Sequence, residues 1–105
     1  MKFNFTICII TFNRGKRALS LVNTLLKDLE NDYTILVLDN ASTRGTEAYK
    51  EIEIISKKNK QVGYIRHDIN GHIQGNYLSC FKNTKTRYFT IFSDEDFIDF
   101  TELRL

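Results

Sequence analysis

The spacing of apolar residues along the chain switches between continuous and helical several times, in a regular order. Phe5 to Thr11, Phe-Thr-Ile-Cys-Ile-Ile-Thr, is a nearly unbroken β-branched and aromatic run, which predicts a strand covered on both faces. From Lys16 to about Glu30 the apolar positions become Ala18, Leu21, Val22, Leu25, Leu26 and Leu29, the three-and-four spacing of an amphipathic helix. Tyr33 to Leu38 reads as a second buried strand closed by Asp39-Asn40. Ala41 to Thr46 reads as a loop. Ala48, Ile52 and Ile55 then mark the inner stripe of a second helix that ends in Lys57-Lys58-Asn59-Lys60, where cations complement the helix dipole. Val62 to His67 is a third strand, followed by the turn residues Asp68-Ile69-Asn70-Gly71. Ile73, Tyr77, Leu78 and Phe81 define a third helix from about Ile73 to Asn83. Arg87 to Phe92 is a fourth strand with its Tyr and Phe side chains expected in the core, and it runs into Ser93-Asp94-Glu95-Asp96.

Strands alternating with helices predict an α/β fold, Rossmann-like, with three layers α/β/α around a mainly parallel sheet. With right-handed crossovers, helices reach both faces only where the strand order reverses, and ligands bind outside the carboxyl ends of the strands at that reversal. Those ends carry Thr11-Phe12-Asn13-Arg14, Asp39-Asn40, His67-Asp68 and Asp94-Glu95-Asp96. All are polar or charged, whereas the strands behind them are not.

Composition narrows the class. A chain of 105 residues with 42% hydrophobic and 27% charged residues is too apolar for disorder and too short for two ordinary domains, so residues 1–105 are read as one domain. Fifteen Lys and Arg against thirteen Asp and Glu leave no single-sign field that would call for nucleic acid or an anionic membrane. Cys8 and Cys80 stand alone in apolar stretches, without zinc-site spacing, and are expected as buried thiols in a reducing compartment. The apolar run before Phe12 is too short to cross a membrane and lacks a cleavage site. The expected location is cytoplasmic, free or peripheral to a membrane.

The acidic cluster carries the most chemistry. In extended backbone, residues two apart face the same side, so Asp94 and Asp96 can share one ligand while Glu95 points away. Two carboxylates so placed form a hard oxygen site for Mg²⁺ or Mn²⁺, and the same three acids would serve equally as an ordinary surface turn. Gly15 is the sole glycine of the first strand-to-helix turn, so neither a dinucleotide fingerprint nor a P-loop is present. That turn instead offers the Thr11 hydroxyl, the Asn13 amide and the Arg14 guanidinium. Asn13 is also placed to cap the first helix. His67 and His72, five apart across a turn, have no cysteine or acid beside them in a clear ligand pattern.

Four segments together carry a family resemblance. Thr11-Phe12-Asn13-Arg14, Leu38-Asp39-Asn40-Ala41-Ser42, Asn70-Gly71 leading to Gly75-Asn76, and Phe92-Ser93-Asp94-Glu95-Asp96-Phe97 are similar, in order and spacing, to glycosyltransferase family 2. The resemblance implies the nucleotide-sugar-binding half of a GT-A fold, with strand order 3-2-1-4. It further implies that Thr11, Phe12, Asn13, Arg14, Asp39, Asn40, Asn76 and Asp94 contact a nucleotide-diphosphate sugar, a UDP-sugar foremost. Within that set Thr11 and Asn13 line the nucleoside pocket, and Asp39 contacts base or ribose. Asp94 and Asp96 match the D-x-D element that holds Mn²⁺ or Mg²⁺ across the diphosphate, for transfer of the sugar to a glycan or lipid-linked acceptor.

The chain departs from the family pattern in three places. Ile10 stands where a proline is frequent, and Gly75 stands where a basic residue often precedes the asparagine, leaving Arg14 or Arg66 to meet the diphosphate. The region that supplies the acceptor-activating carboxylate in inverting members has no counterpart after the acidic cluster, so no catalytic base is assigned, and the sequence reads as a truncated domain with transfer by this chain alone doubtful. A non-catalytic α/β module, self-associating through the edge of the fourth strand, is the alternative reading. A phospho-acceptor receiver domain, the third candidate, is disfavoured because the first strand ends in Thr11-Phe12-Asn13, without an acid.

Overall fold

The computed structural model describes residues 5–28, 32–69, 80, 82–86 and 88–93. They form β1 (Phe5–Thr11), α1 (Gly15–Leu26), β2 (Thr34–Asp39), α2 (Thr46–Lys58), β3 (Val62–Arg66) and β4 (Tyr88–Ser93). The strands make one four-stranded sheet in the order β3-β2-β1-β4, with every pairing parallel. This is the expected 3-2-1-4 order, and its reversal falls between β1 and β4.

Alternation along the strands divides the core into two layers. Ile7, Ile9, Ile35, Val37 and Val62 face α1 and α2 and pack with Ala18, Leu21, Val22, Leu25, Tyr49 and Ile52. Cys8, Leu36 and Leu38 face the other way and pack with Cys80, with Phe89, Ile91 and Ile65 around them. The two helices therefore share one face, and the backbone at residues 80, 82 and 83 is helical on the other. The remainder of the expected third helix lies outside the described residues. None of the described helices is long and apolar enough to cross a membrane.

Two expectations are corrected. The first helix stops at Leu26, with Lys27 as its cap, rather than reaching Glu30. The hydroxyl of Tyr33, itself fully buried, sits 3.3 Å from the Leu25 carbonyl and 3.0 Å from Asp28 Oδ2, so groups at the helix end have a tertiary partner. In β4 the aromatic side chains are not all core: Tyr88 is 55% exposed, and Phe89 to Phe92 are half-buried at the end of the sheet.

One close approach fixes how α1 and α2 meet. Gly15 opens α1 and Gly45 caps α2 in the left-handed region at φ 71°. A Cβ on Gly15 would collide with the carbonyl oxygen of Gly45, and a Cβ on Gly45 would stand 2.8 Å from the Gly15 nitrogen. Glycine at both positions lets the two backbones touch.

Candidate functional site

The carboxyl ends of β1 and β2 lie side by side, with Thr11 and Asp39 as register partners. The Asn40 N–H donates to the Thr11 carbonyl at 3.0 Å, extending the ladder one step past the strand. Beyond it both chains turn through left-handed residues, Asn13 at φ 55° and Ala41 at φ 63°. Asparagine tolerates that region through its short polar side chain; alanine has no such help, and the surrounding bonds must hold it.

Those bonds cross between the two turns. Asn13 Oδ1 accepts from the backbone N–H groups of Thr43 at 2.7 Å and Arg44 at 3.0 Å, while the Asn13 N–H donates to Ser42 Oγ at 2.8 Å. The Asn13 amide oxygen is thus committed to the turn after β2. Asn13 does not cap α1: Arg14 occupies the cap position, and no side-chain hydrogen bond is made there.

Asp39 is 1% exposed, and each of its oxygens is engaged. Oδ1 accepts from the Ser42 N–H at 2.9 Å, and Oδ2 accepts from the Tyr64 hydroxyl at 2.5 Å. A carboxylate has about four lone-pair positions, so with these partners among the described residues each oxygen has capacity for a further donor. Burial pushes the Tyr64 phenol well above its ordinary value, and the hydrogen bond to the Asp39 carboxylate adds to the rise; Tyr64 stays protonated as the donor.

Two tyrosines support the site from the α1 and α2 side of the sheet. Tyr49 stacks on Tyr64, ring centres 6.3 Å apart. Its hydroxyl accepts from the Arg14 N–H at 3.0 Å and lies 2.6 Å from Thr11 Oγ1, so its own proton is available to that threonine. Neither tyrosine stands out in the sequence, because each sits inside an apolar element and meets a partner 25 to 38 residues away. A tyrosine beside the Ala48 and Ile52 stripe of a helix is the one local sign that a hydroxyl must be satisfied in the core.

At the end of β3, Arg66 Nη2 donates to the Ser42 carbonyl at 3.0 Å, and the His67 N–H donates to the Asp39 carbonyl at 2.9 Å. A cavity of about 240 Å³ opens between α2 and β3, bounded by Asp39, Ser42, Lys50, Glu53, Tyr64 and Arg66. It meets the candidate residues at Asp39 and is not lined by those of the first turn. Phe12 is 44% exposed, and Arg14 is exposed.

The structure thus gathers Thr11, Phe12, Asn13, Arg14, Asp39 and Asn40 at two adjacent strand ends. Asn76, Asp94 and Asp96 lie outside the described residues. The fourth strand delivers the chain to Ser93, paired with Ile10, one residue before Asp94. Among the described residues no group of three or more His, Cys, Asp and Glu is placed to hold a metal ion.

None of the curated proteins matches the sequence. Residues 6–104, by contrast, match the family model described as glycosyl transferase family 2. That match runs from the first strand through the acidic cluster and takes in all four segments that carry the resemblance. It also agrees with the parallel 3-2-1-4 sheet, which is the arrangement of a GT-A-like α/β fold. With both the sequence match and the sheet order in hand, the chain belongs to glycosyl transferase family 2.

Proposed function

We propose that the adjacent ends of β1 and β2 form the nucleoside side of a donor site for a nucleotide-diphosphate sugar, a UDP-sugar foremost, used for glycosyl transfer to an acceptor hydroxyl. The observation that carries this reading is the mutual bonding of the two turns through Asn13, Ser42 and Asp39, beside the end of β1, which borders the β1–β4 reversal in strand order where open α/β sheets take ligands. Thr11 and Asn40, buried at the strand ends, and Asn13, half-buried in the turn after β1, occupy neighbouring backbone positions. The remaining lone pairs of Asp39 suit a pyrimidine ring N–H, the exposed Phe12 ring suits the face of a base, and the Arg14 or Arg66 guanidinium suits the diphosphate.

The divalent cation belongs to the same proposal. Asp94 and Asp96 offer alternate carboxylates directly after the strand that pairs with β1, a donor set of the hard oxygen type that Mn²⁺ and Mg²⁺ take. When bound, the cation would supply charge stabilisation to the departing nucleoside diphosphate. Asn76, from the segment before β4, is proposed as a further contact to the donor. A glycan or lipid-linked alcohol is the proposed acceptor, and no residue of this chain is assigned as its base. Pairing of two copies along β4, the last strand of the sheet among the described residues, is proposed for the exposed Tyr88 edge.

Calorimetric titration with UDP in Mn²⁺ and in EDTA tests the donor site. Binding heat that requires the metal, and that Asp96→Ala removes while the far-ultraviolet circular dichroism stays unchanged, is the expected result. Absence of any metal-dependent heat at millimolar UDP would overturn the reading.

A further inference from the structure

We propose that Cys8 and Cys80 are joined by oxidation into an intrachain disulfide, making the sheet face opposite α1 and α2 a site of modification by a hydroperoxide. Cys8 lies in the middle of β1, and Cys80 packs against it in the layer formed with Leu36 and Leu38. Both thiols are fully buried. Thr84 ties the two together: its N–H donates to the Cys80 carbonyl at 3.0 Å, and its hydroxyl lies 3.6 Å from Cys8 Sγ. The helical residue Cys80 is thereby held over the strand that bears Cys8, so that both thiols lie in one packed layer.

The pair is chemically unequal. Its mutual hydrogen bond holds Cys8 below the ordinary thiol value and Cys80 above it; burial raises both, and the Thr84 hydroxyl also favours the Cys8 thiolate. With the Thr84 hydroxyl 3.6 Å from its sulfur, Cys8 is assigned as the nucleophile and Cys80 as the resolving thiol. The Cys8 sulfur attacks one peroxide oxygen: an S–O bond forms, the O–O bond breaks, and the departing hydroxide takes up the proton lost by Cys8 to leave as water. The Cys80 sulfur then attacks the Cys8 sulfur: the S–S bond forms, the S–O bond breaks, and the second water carries away the Cys80 proton. Two thiols lose two electrons, and one hydroperoxide is reduced. Hydrogen peroxide is small enough to enter by local opening of the packing where β4, Cys80 and Thr84 meet, and the neighbouring thiol traps the sulfenic acid before a second oxidant arrives.

The test uses the whole chain. After treatment with hydrogen peroxide, the protein is denatured, alkylated with iodoacetamide and cut with trypsin, which releases Cys8 in the peptide Phe3–Arg14 and Cys80 in His67–Lys82. The expected product is these two peptides linked, two hydrogens lighter than their sum, obtained from protein of monomer mass and separated by a reductant. Both peptides alkylated, either cysteine recovered as sulfinic or sulfonic acid, or a link found only between chains would overturn the proposal. Cys80→Ser, treated alongside, should leave Cys8 to form sulfenic acid that dimedone captures; the wild-type peptide map decides the question even if this variant does not fold.

Discussion

The hydroxyl of Tyr49, on α2, lies 2.6 Å from the hydroxyl of Thr11, the last residue of β1, and accepts the backbone N–H of Arg14 three residues further on. A single side chain from the second helix thus binds the strand end and the start of the first helix together. Tyr49→Phe keeps the ring stacked on Tyr64 and removes only this bridge. Two lost hydrogen bonds should lower stability by about 1–3 kcal/mol. Urea unfolding should show a lower midpoint with unchanged slope. In a cycle with Thr11→Val, the double variant should lose less than the two single losses added.

The Tyr64 phenol predicts a specific alkaline behaviour. Its proton is held more tightly in the folded protein than in the unfolded chain, through burial and the Asp39 carboxylate. The unfolded state releases that proton above the ordinary phenol value of about 10, while the folded state keeps it. The stability it contributes is complete below about pH 10 and declines as the pH rises beyond it. Tyr64→Phe should be less stable at pH 7, and the gap to wild type should narrow above pH 10, as read by thermal unfolding across that range.

Asn13 combines a left-handed backbone with an acceptor for two N–H groups, and two substitutions separate these roles. Both Asn13→Gly and Asn13→Ala remove the acceptor, so amide exchange at Thr43 and Arg44 should quicken in each. Only alanine adds the steric cost of a positive φ, about 1–2 kcal/mol for a residue with a Cβ. Asn13→Ala should therefore unfold at lower denaturant than Asn13→Gly. Equal midpoints would mean that the backbone at residue 13 is not held in the left-handed region.

Much of this arrangement is readable in the sequence, for reasons that apply to some residues and not others. The strands and α1 show because burial imposes a period on consecutive side chains, and the alternation that sends Ile7 and Cys8 to different layers is the same rule. Thr11, Asn13, Asp39 and Asn40 show because polar residues ending apolar strands are unexpected. Their partners do not show. Tyr49 and Tyr64 sit among apolar residues of their own elements, and Cys8 and Cys80 meet only once the sheet has closed, so local patterning holds no trace of either pairing. Asn13 misleads for a related reason: its sequence position suits a helix cap, but its backbone turns the amide toward residues 43 and 44 instead. Tyr88 misleads because an aromatic strand pattern does not distinguish the middle of a sheet from its end.

The contact of Gly15 with Gly45 has a consequence for the energetics of ligand capture. With no side chain between them, the starts of α1 and α2 cannot slide apart without opening a gap, and the cross-bonded turns ahead of them inherit that constraint. The groups at the two strand ends are therefore already ordered before anything arrives. A molecule taken up there would spend little of its binding energy on freezing loops, and the entropy that such turns usually surrender on association has been given up once, during folding.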